Sequence, residues 1–335
     1  MKRFVFLIIF LTFSFSAFAL DDNPLSFRIT PRIELLNGSI NEYVFNEANK
    51  NTDNKESQLD WDLKAIPVLG INADFNLFRY INIGLDGSFG IPIKTGNMQD
   101  YDWLNSIGST IGYPQWEDEN NPTQLTNYSK HDNYLEKYIS FSARIGVNIF
   151  LPAEIKLIPT ISYQYEFISF SGKDGYNIYK WNNWQQKTFS GKVIDYKQEL
   201  NAMLLGLSIN ISTIPKAFFT VDFSISPNMT FINAVDFHYL SRNNFYPYGK
   251  VFWDSFTGLT QIKANITGQY KFNKYHSLGL LTSLTYISIS KGDTRIKALT
   301  EAGEISKGSW SGAIKNGGGT SRLIWSLGIN YSFSL

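Results

Sequence analysis

Two pairs of residues in this chain have the type and spacing for proton chemistry. Asp100 and Asp102 stand one residue apart in the stretch from Gly96 to Trp103, Gly-Asn-Met-Gln-Asp-Tyr-Asp-Trp. In extended backbone alternate side chains point the same way, so both carboxylates leave one face while Tyr101 turns away. Like charges this close share a proton and titrate as a unit with one apparent pKa raised, which suits general acid/base work. The same spacing also occurs in solvated turns and as half of a cation site. The second pair is Asp236 and His238, within Asn233-Ala234-Val235-Asp236-Phe237-His238-Tyr239. A carboxylate beside an imidazole fixes its tautomer and stabilises its charged form, leaving a general base suited to neutral pH. An Asp-x-His can equally do no more than solvate the end of a strand. The remaining histidines lack a carboxylate at that spacing: His131 falls in a polar stretch read as a loop, and His276 in a short turn.

For the two pairs to act together, the fold must bring distant stretches onto one rim. The signal for how it does so is strict alternation. Leu323, Trp325, Leu327, Ile329, Tyr331, Phe333 and Leu335 are apolar or aromatic, with Arg322, Ser326, Gly328, Asn330, Ser332 and Ser334 between them. One face is greasy and the other polar, as in a strand with two different environments. Ile139, Phe141, Ala143, Ile145, Val147 and Ile149 repeat the pattern. Counting such segments predicts about ten strands, near 26–45, 58–76, 80–94, 136–150, 154–170, 197–212, 217–235, 256–272, 276–290 and 321–335. Connections after the even-numbered strands are short, as at Leu77-Phe78-Arg79 and Leu151-Pro152-Ala153, and those after the odd-numbered strands are long and rich in Asn, Gly, Asp and Trp. That asymmetry, with an even strand count, predicts an all-β, ten-stranded antiparallel transmembrane barrel with long extracellular loops and short periplasmic turns. Both acid pairs then fall on the long-loop side.

Composition and the amino terminus agree. Met1-Lys2-Arg3, an apolar run from Phe4 to Phe13, and Ala17-Phe18-Ala19 before Asp21-Asp22 read as a secretory signal, so residues 1–19 are expected to be removed and 20–335 to form the barrel. Aromatics make up 16% of the chain, with 26 Phe and 19 Tyr, an excess that girdles at the two membrane interfaces would explain. There is no cysteine, which excludes disulfides and a thiol nucleophile. The formal net charge is +1 with both signs interspersed, giving no basic stripe for nucleic acid. A porin is disfavoured, since roughly ten strands leave a lumen filled by side chains where aqueous channels need about 16. Asp86, Arg144, Asp222 and Lys263, on the polar faces, suggest a plug of paired charges instead.

The motifs together resemble the omptins, a family of outer-membrane proteases built as ten-stranded barrels. The likeness is carried by Ser57-Gln58-Leu59-Asp60-Trp61, by Gly96 to Trp103, by Ile194-Asp195-Tyr196-Lys197-Gln198 and by Asp236-Phe237-His238-Tyr239. Their order spans nearly the whole mature chain. The resemblance implies that Asp100 and Asp102 form one catalytic couple and Asp236 and His238 the other, with the attacking water held between them and neither a covalent intermediate, a metal nor a cofactor required. It also implies that Glu42 helps hold a basic side chain ahead of the scissile bond, with Met98 as an apolar wall. Two departures stand out. The second pocket acid falls on Ala234, which implies a weakened preference for Arg or Lys, and Phe167 and Tyr165 occupy positions where omptins present Arg and Glu to lipid A phosphate.

The expected function is therefore an aspartic-type outer-membrane endopeptidase with its active site facing outward, acting on extracellular peptides or proteins and embedded in outer-membrane lipid. The alternative is a non-catalytic barrel serving as adhesin or receptor, with Trp181, Trp184 and Trp253 as contact surface.

Overall fold

The computed structural model describes residues 25–46, 55–103, 125–179, 182–240 and 246–335. The expected signal segment and Trp181 lie outside these. The strands are β1 (Leu25–Phe45), β2 (Lys55–Leu77), β3 (Ile81–Gly90), β4 (Ile93–Asp102), β5 (Asn127–Val147), β6 (Ile149–Leu151), β7 (Ile155–Tyr179), β8 (Gln186–Ile211), β9 (Ala217–His238), β10 (Lys250–Lys271), β11 (His276–Ala298) and β12 (Ile314–Ser334). All pair antiparallel, and β1 pairs with β12 (Glu42 opposite Thr320), which closes the ring. A closed ring leaves no strand edge unpaired, the condition for crossing lipid with strands.

The twelve segments make ten staves, because β3 and β4 continue one another, as do β5 and β6. Pro92 interrupts the first of these, since it has no N–H to give to a ladder. Asn148 interrupts the second, donating its backbone N–H to Tyr80 O at 2.6 Å and its side-chain amide to Arg79 O at 2.7 Å. At the short-turn end Phe78 and Arg79 both have positive φ, 48° and 66°, the left-handed pair at the centre of a turn that Tyr80 N–H closes on Leu77 O at 3.1 Å.

The outer wall carries the alternation read from the sequence. Leu280 and Leu327 are 64% and 58% exposed, and a continuous apolar wall of this kind needs lipid against it. Inside, the lumen is layered. Its lower part holds ion pairs: Arg32 to Asp86 at 2.6 Å, Arg28 to Asp74 at 3.0 Å, Arg144 to the same Asp74, and Arg322 to Glu166. All of these groups but Arg322 line a polar cavity of about 460 Å³ that also includes Asp222 and Lys263; Arg322 reaches Glu166 from the level of Ile287, opposite it in the β11–β12 ladder. Of the four residues expected to form a plug of paired charges, Asp86 takes Arg32 and Arg144 takes Asp74, while Lys263 donates to Gln164 Oε1 at 3.1 Å. Above it sits an apolar layer of Leu63, Ile66, Ile168, Leu200, Ile232, Phe256 and Ile287, all buried, each contributing roughly 1.5–3 kcal/mol by leaving water.

The strands run further outward than the alternation reached. Asp100 and Asp102 are in β4, His131 is buried in β5, and Asp236 and His238 end β9, so none of the five is in a loop. Beyond the lipid band the outer wall has no need to be apolar, so the two-residue pattern fades while backbone pairing continues. Asp102 still pairs with Ser57 and His238 with Ile194.

Candidate active site

The inward rows of these extended staves form a polar bowl above the lipid band. The strands β4 and β9 stand across it, separated by three staves one way and five the other. From β4 come Asp100 and Asp102, each 8% exposed. Ser57 Oγ in β2 donates to Asp100 Oδ1 at 3.3 Å, and Asn127 Nδ2 in β5 donates to Asp102 Oδ2 at 3.0 Å. Tyr101 points the other way and packs on Tyr128 and Trp103, with ring centroids 5.2 and 6.4 Å apart. The one-face expectation for the pair therefore holds, with a serine on Asp100 and an amide on Asp102.

From β9 come Asp236 and His238. Asp236 Oδ2 bonds directly to His238 Nε2, and Phe252 meets the imidazole edge-on, centroids 5.4 Å apart. A carboxylate on Nε2 keeps the proton there, so Nδ1 is the nitrogen that can accept one. Asp236 is itself buried.

Glu42, from β1, completes an acidic wall. It is 2% exposed and its Oε2 has no hydrogen-bond partner. Burial above all, then the nearby charges of Asp236, Asp254 and Asp100, hold it well above the usual carboxylate range. Glu42, Asp100 and Asp236 are all buried side chains of the inward rows. Asp254, which sequence reasoning passed over, enters from β10 directly opposite Ala234 in the β9–β10 ladder. It accepts from Thr294 Oγ1 at 2.5 Å. Burial pushes it up to about 7, helped by Asp236 and opposed by Thr294. Room for it comes from Gly318 in β12, where a Cβ would sit 2.6 Å from Asp254 Oδ1. Only the strand register reveals that Asp254 stands beside Ala234.

Beneath lies the apolar floor. Trp61 stacks between Phe170 and Tyr196, with centroids 5.6 and 5.5 Å away. Gln198 Nε2 ties Tyr196 Oη at 2.9 Å to Thr320 Oγ1 at 3.1 Å. Met98 is wholly buried in this floor, opposite Trp61 on one side and His131 on the other. Among the described residues no group of three or more His, Cys, Asp or Glu has the arrangement of a metal site. Trp253, expected in a loop, lies in β10 against Trp310, centroids 5.7 Å apart.

The comparisons with known proteins fit this geometry. The omptin family model matches residues 23–333. The plasminogen activator of Yersinia pestis is 23% identical over 194 residues, 56% of this chain and 55% of that protein. Outer membrane protease OmpP of Escherichia coli is 27% identical over 191 residues, 55% of this chain and 56% of that protein. In these alignments the chain thus spans about half the length of the relatives it matches. The fold likeness extends further: the crystal structure of outer membrane protease OmpT from Escherichia coli superimposes with a TM-score of 0.79 at 18% identity, over 95% of this chain and 99% of that one. A barrel of this kind fits the outer membrane. Since the family match runs from the first strand to the last, this chain belongs to the omptin family.

Proposed function

We propose that this chain is an outer-membrane endopeptidase that hydrolyses peptide bonds of extracellular proteins or peptides with a water activated between two residue couples. The observation that carries the reading is the buried Asp236–His238 contact in the same bowl as Asp100 and Asp102. His238 Nδ1 takes a proton from the water as its oxygen bonds to the peptide carbonyl carbon. Asp100 and Asp102 hold that water and manage the second proton. The proton then passes to the leaving nitrogen as the C–N bond breaks. Asp236 favours the imidazolium formed on the way. No covalent enzyme intermediate, metal or cofactor takes part in this scheme. Residues 1–19 serve as the export signal, cleaved after Ala19, and 20–335 form the barrel.

The bowl also bears on specificity. With Ala234 where a second acid was expected, Glu42 would face a substrate cation alone; Asp254, its carboxylate beside that gap, supplies the second acceptor. A basic side chain ahead of the scissile bond would be held between Glu42 and Asp254, which release their protons to solvent and accept charge-assisted hydrogen bonds from the entering cation. The expected weakening of basic preference is then offset, with Met98 closing the floor. On the outer wall, Lys137 lies over Phe167 at 5.4 Å and Lys197 over Phe237 at 5.1 Å, cations that suit the phosphates of outer-membrane lipid where Phe167 and Tyr165 offer none.

The test is purified protein refolded in lipid and presented with a fluorogenic peptide library. Cleavage at mapped peptide bonds that disappears in His238→Ala supports the reading. Binding without cleavage by the wild-type barrel would favour an adhesin or receptor and sink it.

A further inference from the structure

The scheme above leaves a buried histidine unused. His131, 2% exposed, lies in the inward row of β5 with Asn127, Ser129 and Asn133. Its Nδ1 is 2.6 Å from the backbone carbonyl oxygen of Asp174 in β7, and its Nε2 is 3.0 Å from Ser129 Oγ. A carbonyl oxygen can only accept, so Nδ1 carries the hydrogen, and in the neutral ring Nε2 must accept from the Ser129 hydroxyl. Phe189 of β8 packs against the ring, centroids 5.7 Å apart, which holds it in that pose. Ser129 in turn stands directly opposite Asp100 in the β4–β5 ladder, both buried on the same face. Opposite residues of an antiparallel pair have Cβ atoms about 4.5–5.5 Å apart, close enough for a hydroxyl and a carboxyl group to meet.

We infer that Ser129 and His131 are positioning residues that orient Asp100 and exchange a proton with it through the Ser129 hydroxyl. In one state the ring is neutral, Ser129 donates to Nε2, and Asp100 carries a proton that it donates to Ser129 Oγ. In the other the ring is imidazolium, Nε2–H donates to Ser129 Oγ, and Ser129 donates to ionised Asp100. Passing between them breaks the Asp100 O–H and the old Ser129 O–H bond and forms a new Ser129 O–H and an Nε2–H bond, so nothing enters or leaves. The bowl then contains two carboxylate–imidazole couples, one in direct contact and one bridged. Burial lowers the pKa of the His131 ring, while the Asp174 carbonyl and Asp132 work against that. Asp174 and Asp132 act on the ring directly, Lys94 and Lys173 stand against Asp132 from β4 and β7, Lys130 is its neighbour on β5, and Asp100 and Asp102 follow along the facing β4. The bridged couple is a proton store for Asp100, matched to the second proton of the proposed hydrolysis, on which this inference rests.

The experiment measures kcat and KM across pH for wild type, Ser129→Ala, His131→Asn and His131→Ala on one cleaved peptide in lipid, with His238→Ala alongside. Asn at 131 keeps a donor for the Asp174 carbonyl, so it separates proton exchange from simple support of β7. The expected result is a roughly tenfold or larger fall in kcat for Ser129→Ala and His131→Asn, KM little changed, and loss of the same inflection from both pH profiles. Wild-type kcat and pH profile in Ser129→Ala, or in His131→Asn when His131→Ala is impaired, would reduce the pair to structure and overturn the inference. Undiminished activity in His238→Ala would instead overturn the hydrolytic reading beneath it.

Discussion

Both ends of this lumen bury charged groups, and they hold them with different partners. Below the bowl guanidinium meets carboxylate: Arg28 and Arg144 share Asp74, Arg32 takes Asp86 and Glu34, and Arg322 takes Glu166. In the upper bowl Asp100, Asp102, Asp236 and Asp254 are held by Ser57, Asn127, His238 and Thr294, which are hydroxyls, an amide and an imidazole. Burying an ion is repaid only by a well-placed opposite charge with good hydrogen bonds. The lower set satisfies that condition within the fold. The upper set is met in these contacts by hydroxyls, an amide and an imidazole, donors that suit a site which a substrate cation or a moving proton would complete.

The sharpest break of this comparison is His238→Ala. It should lower turnover by about a hundred- to ten-thousand-fold while the barrel stays folded, because the proposed general base is lost and the ion pairs below the bowl are untouched. Asp100→Asn and Asp102→Asn should each be damaging, and together cost less than the product of their separate effects, since coupled groups act as a unit. Steady-state kinetics beside circular dichroism would show both.

Arg322→Met should do the reverse. It leaves Glu166 buried without its cation, so unfolding should become easier by about 3–5 kcal/mol, with kcat on the surviving folded protein unchanged. Denaturant unfolding in lipid measures this, and a kcat that falls with stability would blur the division between the two ends.

A smaller effect is expected from Asp254→Asn. Preference for Arg or Lys over neutral residues, as a ratio of kcat/KM, should fall roughly tenfold with the loss of one hydrogen bond to a charged group. Stability should move the other way, and the sign follows from the direction of the shift. Since Asp254 is pushed up to about 7 in the fold, the folded state keeps a proton that the unfolded chain has already released at lower pH. Stability is therefore lost as pH rises from the usual carboxylate range to that value. The Asn variant should be the more stable barrel at pH 8 and differ little at pH 4, as thermal unfolding at both would reveal. The smallest expected effect is none: a chelator should leave cleavage unchanged in a dialysis-controlled assay.

Much of the fold is legible in the residues alone. Alternation along Leu323 to Leu335 marks a lipid face and a lumen face, because side-chain direction in extended backbone depends only on parity along the chain. The same parity puts Asp100 with Asp102, and Asp236 with His238. Loop lengths then assign both pairs to one rim. What parity cannot supply is register, the matching of residues between strands, which depends on how all the staves pack and close. Register sets Asp254 beside Ala234, Ser129 opposite Asp100, and Asn127 against Asp102. It also carried His131 out of an expected loop into a buried row, because hydrogen-bonded pairing outlasts the apolar pattern once the strands leave the lipid. The sequence by itself determined which way each side chain points; only the closed barrel decided which side chains meet, since that is a relation between strands and not a property of any one of them.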